Sequence, residues 1–293
     1  MDELTQTFEL LSGEVSLALV ALGATLLHFL VEPIRWWLVL TRRESVSFAT
    51  TFHVFSTTAL LSYTLPFKMG LPVRHMLLKR TLRQSHFLIG SALFLDALLV
   101  YLTWALAAGI TLLTVAASRP DEISVSPVGF IVLAVAAGIV ILGILKFRRT
   151  NPVQRAKVAL TDLRDLLTFR TAAVALGTIV FDLFVQGIKH WAIFSLFGLE
   201  IGLGDAFGIA IVSITVGMLS FMPLGLGVYD AVLVALIAAS TGSGTIWLVP
   251  IVSRVLSVVV AATLGSLGAA KLGINFRDRS WRDEATHPSD RSN

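Results

Sequence analysis

The chain has 293 residues, 55 % hydrophobic and only 14 % charged, against roughly 25 % charged in an ordinary soluble domain. With a mean hydropathy of +0.82, that balance all but excludes a soluble globular protein and points to the bilayer, where a span needs about 20 mainly apolar residues. Cysteine is absent, which removes disulfides, thiolate metal sites, thiol catalysis and palmitoylation, and the net charge of +4 comes from basic clusters beside apolar runs, suited to anionic lipid rather than nucleic acid.

In chain order, the acidic residues 1–14 lack the basic region that precedes a cleavable signal sequence, so the first span is read as retained. Spans or near-spans are predicted over 15–40, 86–116, 127–145 and 171–197, and more loosely over 203–222 and 246–272. Two apolar stretches differ. Residues 46–65 are diluted by Ser and Thr and run into Pro66, Lys68, Gly70 and Pro72, which reads as a broken or re-entrant segment. Residues 227–240 would reach only about 21 Å as a helix, short of a roughly 30 Å hydrocarbon core. The longest polar pieces, 148–170 and the tail after 274, are each shorter than about 40 residues, too short to fold alone. The expected organisation is one membrane domain over 1–275 and a disordered cytoplasmic tail over 276–293.

Lys and Arg cluster at 42–43, 68–83, 146–170 and 271–282, whereas the connections near 117–126, 198–205 and 241–245 carry one Arg or none. The positive-inside rule then places the clusters in the cytoplasm, the N-terminus outside and the C-terminus inside. The segment between the first two clusters must enter and leave by one face, as a hairpin with its tip near Pro66 and Gly70. Residues 203–240 make a second hairpin, opening outward, with its tip near Pro223, Gly225 and Gly227. The ordinary alternative is a pair of full crossings.

The halves, about 15–116 and 171–272, resemble each other. Ile34-Arg35-Trp36-Trp37 answers Ile188-Lys189-His190-Trp191, and Leu61-Ser62-Tyr63-Thr64-Leu65-Pro66 with Gly70 answers Leu219-Ser220-Phe221-Met222-Pro223 with Gly227. Because the charge pattern has the two halves entering from opposite faces, the fold expected is an all-α inverted repeat with two re-entrant or broken hairpins and about 6 to 8 membrane segments, a transporter pattern.

A charge at mid-bilayer costs roughly 2.5–3.5 kcal/mol on insertion scales, so each one needs a partner, a wet cavity or a task. The candidates are Glu32, Arg35, Lys68, Arg74, Asp96, Asp182, Lys189, Asp230 and Arg254. In the functional reading Arg35, Arg74 and Arg254, with Lys68, hold a headgroup phosphate through bidentate forks, while Asp96, Asp182 and Asp230 balance the cations or engage an amine. In the bland reading Arg254 merely pairs with Asp230 or Asp182, and Arg35 snorkels to the cytoplasmic interface. Pro66, Gly70, Pro223, Gly225 and Gly227 interrupt helices so that amide groups face a cavity and favour an anion. The six histidines show no metal-ligand spacing, no Ser-His-acid set stands out, and no cofactor is expected. Trp36, Trp37, Trp191 and Trp247 read as interface anchors.

Five pieces carry a family resemblance: Arg35-Trp36, Pro66-x-Lys68-x-Gly70-x-x-x-Arg74, Asp96, Pro223-Leu224-Gly225-Leu226-Gly227-Val228-Tyr229-Asp230, and Arg254. In order and spacing they resemble the flippase-like transmembrane family that includes the membrane domain of lysylphosphatidylglycerol synthase, the multiple-peptide-resistance factor. Departures are Leu71 and Asp230, where the family usually has Glu, and Leu224, where it often has Gly. The resemblance implies a multi-pass cell-membrane protein that moves a phosphate-bearing lipid between leaflets, aminoacyl-phosphatidylglycerol or another phospholipid, with anionic membrane lipids as partners. The chain runs about 20 residues past its last span, so translocation without lipid synthesis, and hence no enzyme, is expected. Two rivals are a polyprenyl-phosphate-sugar flippase and a non-transporting scaffold for a partner transferase. Self-association is a further option.

Overall fold

The computed structural model describes residues 2–40, 46–64, 70–82, 86–118, 169–220, 225–241 and 246–273. The expected span over 127–145, the tail over 276–293, Pro66, Lys68 and Pro223 lie outside the described residues. Within them there are eight helices and no strand: α1 (Asp2–Leu40), α2 (Phe48–Thr64), α3 (Gly70–Leu82), α4 (His86–Ser118), α5 (Phe169–Leu196), α6 (Leu203–Leu219), α7 (Val228–Thr241) and α8 (Leu248–Lys271). Four of them, α1, α4, α5 and α8, are long and apolar enough to cross a bilayer. The chain is a multi-pass, all-α membrane protein.

The order long, short, short, long occurs twice. At 1.5 Å per residue, α2 and α6 reach about 26 Å, α3 about 20 Å and α7 about 21 Å, all below a roughly 30 Å core. Ser47 starts α2 by accepting the Thr50 amide hydrogen on its hydroxyl at 3.1 Å, the usual satisfaction of an orphan helix donor. The loosely expected span over 203–222 is shorter in the structure. Helix α6 stops at Leu219, and Ser220 is already extended at φ −72° and ψ 147°. Pro223 supplies the reason, since its ring would clash with the carbonyl four residues earlier, that of Leu219, and offers it no N–H.

Packing follows the repeat. Helix α1 packs on α5, α2 on α8, and α4 on α6, while α2 and α6 lean on their own neighbours α3 and α7. Each of the first three contacts is antiparallel. On α1, Leu17 and Ala21 share a core with Trp191 to Phe194 of α5, while His28, further along α1, reaches back to Asp182. Gly265 and Gly268 of α8 face Leu60 and His53 of α2 respectively. Gly208 of α6 faces Thr111 of α4, and Thr215 donates to the Trp104 carbonyl. Equivalent helices α1 and α5 run in opposite directions and touch, so the two halves are related by a pseudo-two-fold axis across the helix axes, which makes the repeat inverted.

Small residues permit this closeness. A Cβ at Gly265 would lie 2.5 Å from the Leu60 Cβ, and one at Gly268 would lie 2.7 Å from the His53 carbonyl oxygen, so α8 and α2 meet backbone to backbone as membrane helices do. The outer faces are apolar: Leu106 and Leu113 of α4 and Val255, Val259 and Leu267 of α8 are exposed, a surface suited to lipid and not to water.

Candidate functional site

The charged candidates lie on repeating helix faces. On α1, His28, Glu32 and Arg35 are spaced by four and three residues. On α5, Asp182, Gln186 and Lys189 have the same spacing, which aligns three side chains along one face of each helix. The antiparallel crossing of α1 and α5 brings those faces together around a cavity of about 390 Å³ lined by residues from both repeats. His28 and Asp182 are repeat equivalents, 154 residues apart, and bond to each other at 2.6 Å. The pseudo-two-fold axis therefore runs through this pair.

Three arginines enter the cavity from three helices, and each is held by a carboxylate. Arg35 forks onto Asp96, Nε to Oδ1 at 2.6 Å and Nη2 to Oδ2 at 3.1 Å, and the Trp36 indole N–H donates to the same carboxylate at 3.2 Å. Arg74 bonds Glu32 through Nη1 and Thr58 Oγ1 through Nε at 3.0 Å, with its guanidinium 4.1 Å from the centroid of the Phe55 ring. Arg254 forks onto Asp230 at 2.9 and 2.8 Å. These are charge-assisted bonds, the form in which a guanidinium is tolerated away from water.

Asp230 has a second task. Gly227, at φ +80°, donates its backbone N–H to Asp230 Oδ2 at 3.0 Å, so the carboxylate that holds Arg254 also closes the first turn of α7. Gly225, at φ +65°, lines the cavity and touches α6 so closely that a Cβ would stand 2.6 Å from the Gly217 Cα. Glycine is required there on both counts. Next to it, the Tyr229 hydroxyl meets His190 Nε2 at 2.7 Å, and His190 Nδ1 faces the Gln186 carbonyl at 2.7 Å. A carbonyl only accepts, so Nδ1 carries the hydrogen.

Of the residues singled out from the sequence, Arg35, Arg74, Asp96, Asp182, Arg254 and Gly225 line one cavity. Asp230 stands behind Arg254, and Gly227 caps α7. Gly70 opens α3 against α2, where a Cβ would collide with Ser62 and the Thr58 carbonyl. Arg35 does not snorkel: it is 5 % exposed and tied to Asp96, because the cavity supplies a partner nearer than the interface. Trp36 is not an interface anchor either, being buried with its N–H on Asp96. Trp247 is exposed, as an anchor would be. Glu32 and Lys189, weighed as intramembrane charges but given no task, both line the cavity, as do His28, Gln186, His190 and Tyr229. The shared four-and-three spacing on α1 and α5 is the signal that would have found the first of these.

The family described as the lysylphosphatidylglycerol synthase TM region matches residues 1–265. The chain belongs to this family. No curated protein and no solved structure matches the chain. For this member of the lysylphosphatidylglycerol synthase transmembrane family, the match takes in the first repeat, the second as far as residue 265 and every residue that lines the cavity, so the membrane domain it denotes is the domain that carries the charged site.

The Arg254–Asp230 fork yields a direct test. Arg254→Met strands Asp230 and should lower stability by roughly 1–3 kcal/mol, less than the 3–5 kcal/mol of a fully buried pair because both side chains are partly exposed. Adding Asp230→Asn should recover most of the loss, read as thermal unfolding in detergent. Equal destabilisation by the single and double variants would contradict the pairing.

Proposed function

We propose that this protein moves a phosphate-bearing lipid between the leaflets of the cell membrane, the headgroup passing through the cavity while the acyl chains stay against the apolar outer faces. The observation that carries this reading is a charged cavity at the junction of two inverted repeats inside an otherwise apolar helical body. Such junctions are where alternating-access carriers bind their cargo. The ligand is an anion by two further arguments. Three arginines present forked donors to one space, the geometry that phosphate oxygens accept. The N-terminal ends of α3 and α7 also border the cavity, through Leu71 and Arg74 and through Tyr229, and helix N-termini favour negative charge.

In this mechanism Arg35, Arg74 and Arg254 exchange a carboxylate for a phosphate oxygen as the headgroup passes and return to Asp96, Glu32 and Asp230 afterwards, while Asp182, with Asp96 and Asp230 when they are released, receives an amine carried by the headgroup. Lys68, two residues before α3 in the sequence, would add a further cation. The exchange keeps each guanidinium partnered throughout, so the barrier is far below that of a bare charge in hydrocarbon. The protein performs no chemistry on the lipid. Aminoacyl-phosphatidylglycerol or another phosphate-bearing phospholipid is the cargo favoured by the family and the cations, and the N-terminus lies outside and the C-terminus inside.

Two measurements check this. Purified protein in liposomes should speed the movement of labelled phosphatidylglycerol at least tenfold over protein-free vesicles. The pair-neutralised variant Arg74→Met with Glu32→Gln should abolish it while still folding. Folded wild-type protein that moves no phospholipid, aminoacylated or plain, would refute transport of these lipids and favour the scaffold role. For orientation, Arg80→Cys should react with an impermeant thiol reagent only from the cytoplasm and Glu200→Cys only from outside. Reaction of both from one face would overturn the topology.

A further inference from the structure

The two halves match residue by residue until their charges are paired. The 154-residue separation that relates His28 to Asp182 also relates Glu32 to Gln186 and Arg35 to Lys189. In the first half, Glu32 holds Arg74 and Asp96 of α4 holds Arg35. In the second half both acids are missing. Gln186 is uncharged, and α8, the counterpart of α4, contains no Asp or Glu along its 24 residues. Of the acids the second half does bring near the cavity, Asp230 on α7 is engaged by Arg254 at both oxygens and Asp182 on α5 by His28.

Lys189 is left over. It lines the cavity, is 5 % exposed, and has no hydrogen-bond or ion-pair partner among the described residues. Asp182 lies two turns away along the same helix, about 10 Å by helix rise, and is bonded to His28. Beside it the Gln186 Oε1 is also buried without a donor. Asp182 therefore acts on Lys189 only at a distance, and taking an ammonium group out of water without a carboxylate in contact is costly; the first half shows that this fold can supply one at the equivalent place.

We infer that Lys189 is the resting anchor of the cavity for a phosphodiester monoanion, the phosphate of a lipid headgroup. The inference rests on the lipid-transport reading and sharpens it: the arginines must release a carboxylate before they accept phosphate, whereas Lys189 accepts it with nothing to displace. Arg35, Arg74 and Arg254 are each held directly by Asp96, Glu32 and Asp230 and Asp182 is bonded to His28, so among the described residues Lys189 is the cavity cation with no carboxylate in direct contact.

The test is binding of short-chain dihexanoylphosphatidylglycerol to the purified full-length protein, followed by phosphorus NMR, with inorganic phosphate as the second probe. Lys189→Met should weaken lipid binding at least tenfold while leaving thermal unfolding unchanged or raised, because it deletes an unpaired buried charge. Lys189→Arg should stay within about threefold of wild type. If Lys189→Met does not fold, Lys189→Gln is held to the same criterion. Wild-type affinity in the methionine or glutamine variant would overturn the assignment, as would inorganic phosphate binding more tightly than the lipid. The two readings fail separately. Liposome transport of phosphatidylglycerol at an unchanged rate by Lys189→Met sinks the anchor and leaves transport standing. Lys189-dependent binding by a protein that moves no lipid sinks transport and leaves the anchor standing.

Discussion

A charge inside a bilayer must be matched, and in this protein the matching is done between helices rather than along them. Arg35 of α1 is closed by α4, Glu32 of α1 by α3, His28 of α1 by α5, and Arg254 of α8 by α7. Removing either partner of such a pair leaves an uncompensated charge, which penalises any other arrangement of the helices and makes the pairs specify register as much as stability. Helix α1 carries three of the four, and it lies on the pseudo-two-fold axis against its own repeat equivalent α5. Close packing through Gly265 and Gly268 then fixes α8 on α2, and the cavity is the space those constraints leave at the centre.

The same pairs that hold the fold also suit it to exchange. A fork from Arg to Asp has the geometry of a fork from Arg to phosphate, so in the proposed transport a headgroup phosphate would replace a structural partner without stranding the guanidinium. Asp230 couples that exchange to backbone, because it caps the first turn of α7 through Gly227 while holding Arg254. Drawing Arg254 away from Asp230 therefore acts on the end of α7 next to Gly225, where α7 meets α6. An inverted repeat supplies two such inner helix ends, one from each half, with Arg74 at one and Asp230 at the other, opposite in sign.

Fold class, the repeat and most of the charged lining were legible in the sequence, since composition, basic clusters and Pro-Gly interruptions are local properties. The partner of each charge was not. Arg254 had two candidate acids, Asp182 and Asp230, and nothing in hydropathy chooses between them: the choice depends on the register of α8 against α7 and of α1 against α5. Arg35 and Trp36 look like interface residues because they end an apolar run. Only the approach of α4 reveals that they converge on Asp96 instead. The length of α6 was overread because apolar residues continue to Met222, whereas the helix obeys Pro223 and stops at Leu219. Lys189 is the clearest case, since the absence of a facing acid is a fact about α8, distant in the chain, while only Gln186, one turn before it, is local.

The proposed transport requires a headgroup-sized polar space, open to water and to lipid headgroups, within an apolar helical body. The native chain has no cysteine, so single cysteines report without background. Val100→Cys, on the cavity wall, should react with a charged thiosulfonate reagent in liposomes and be protected by dihexanoylphosphatidylglycerol, while Leu106→Cys, on the outer face of the same helix, should stay unreactive. Equal reactivity at the two positions, or a Val100→Cys rate that the lipid does not slow, would contradict it.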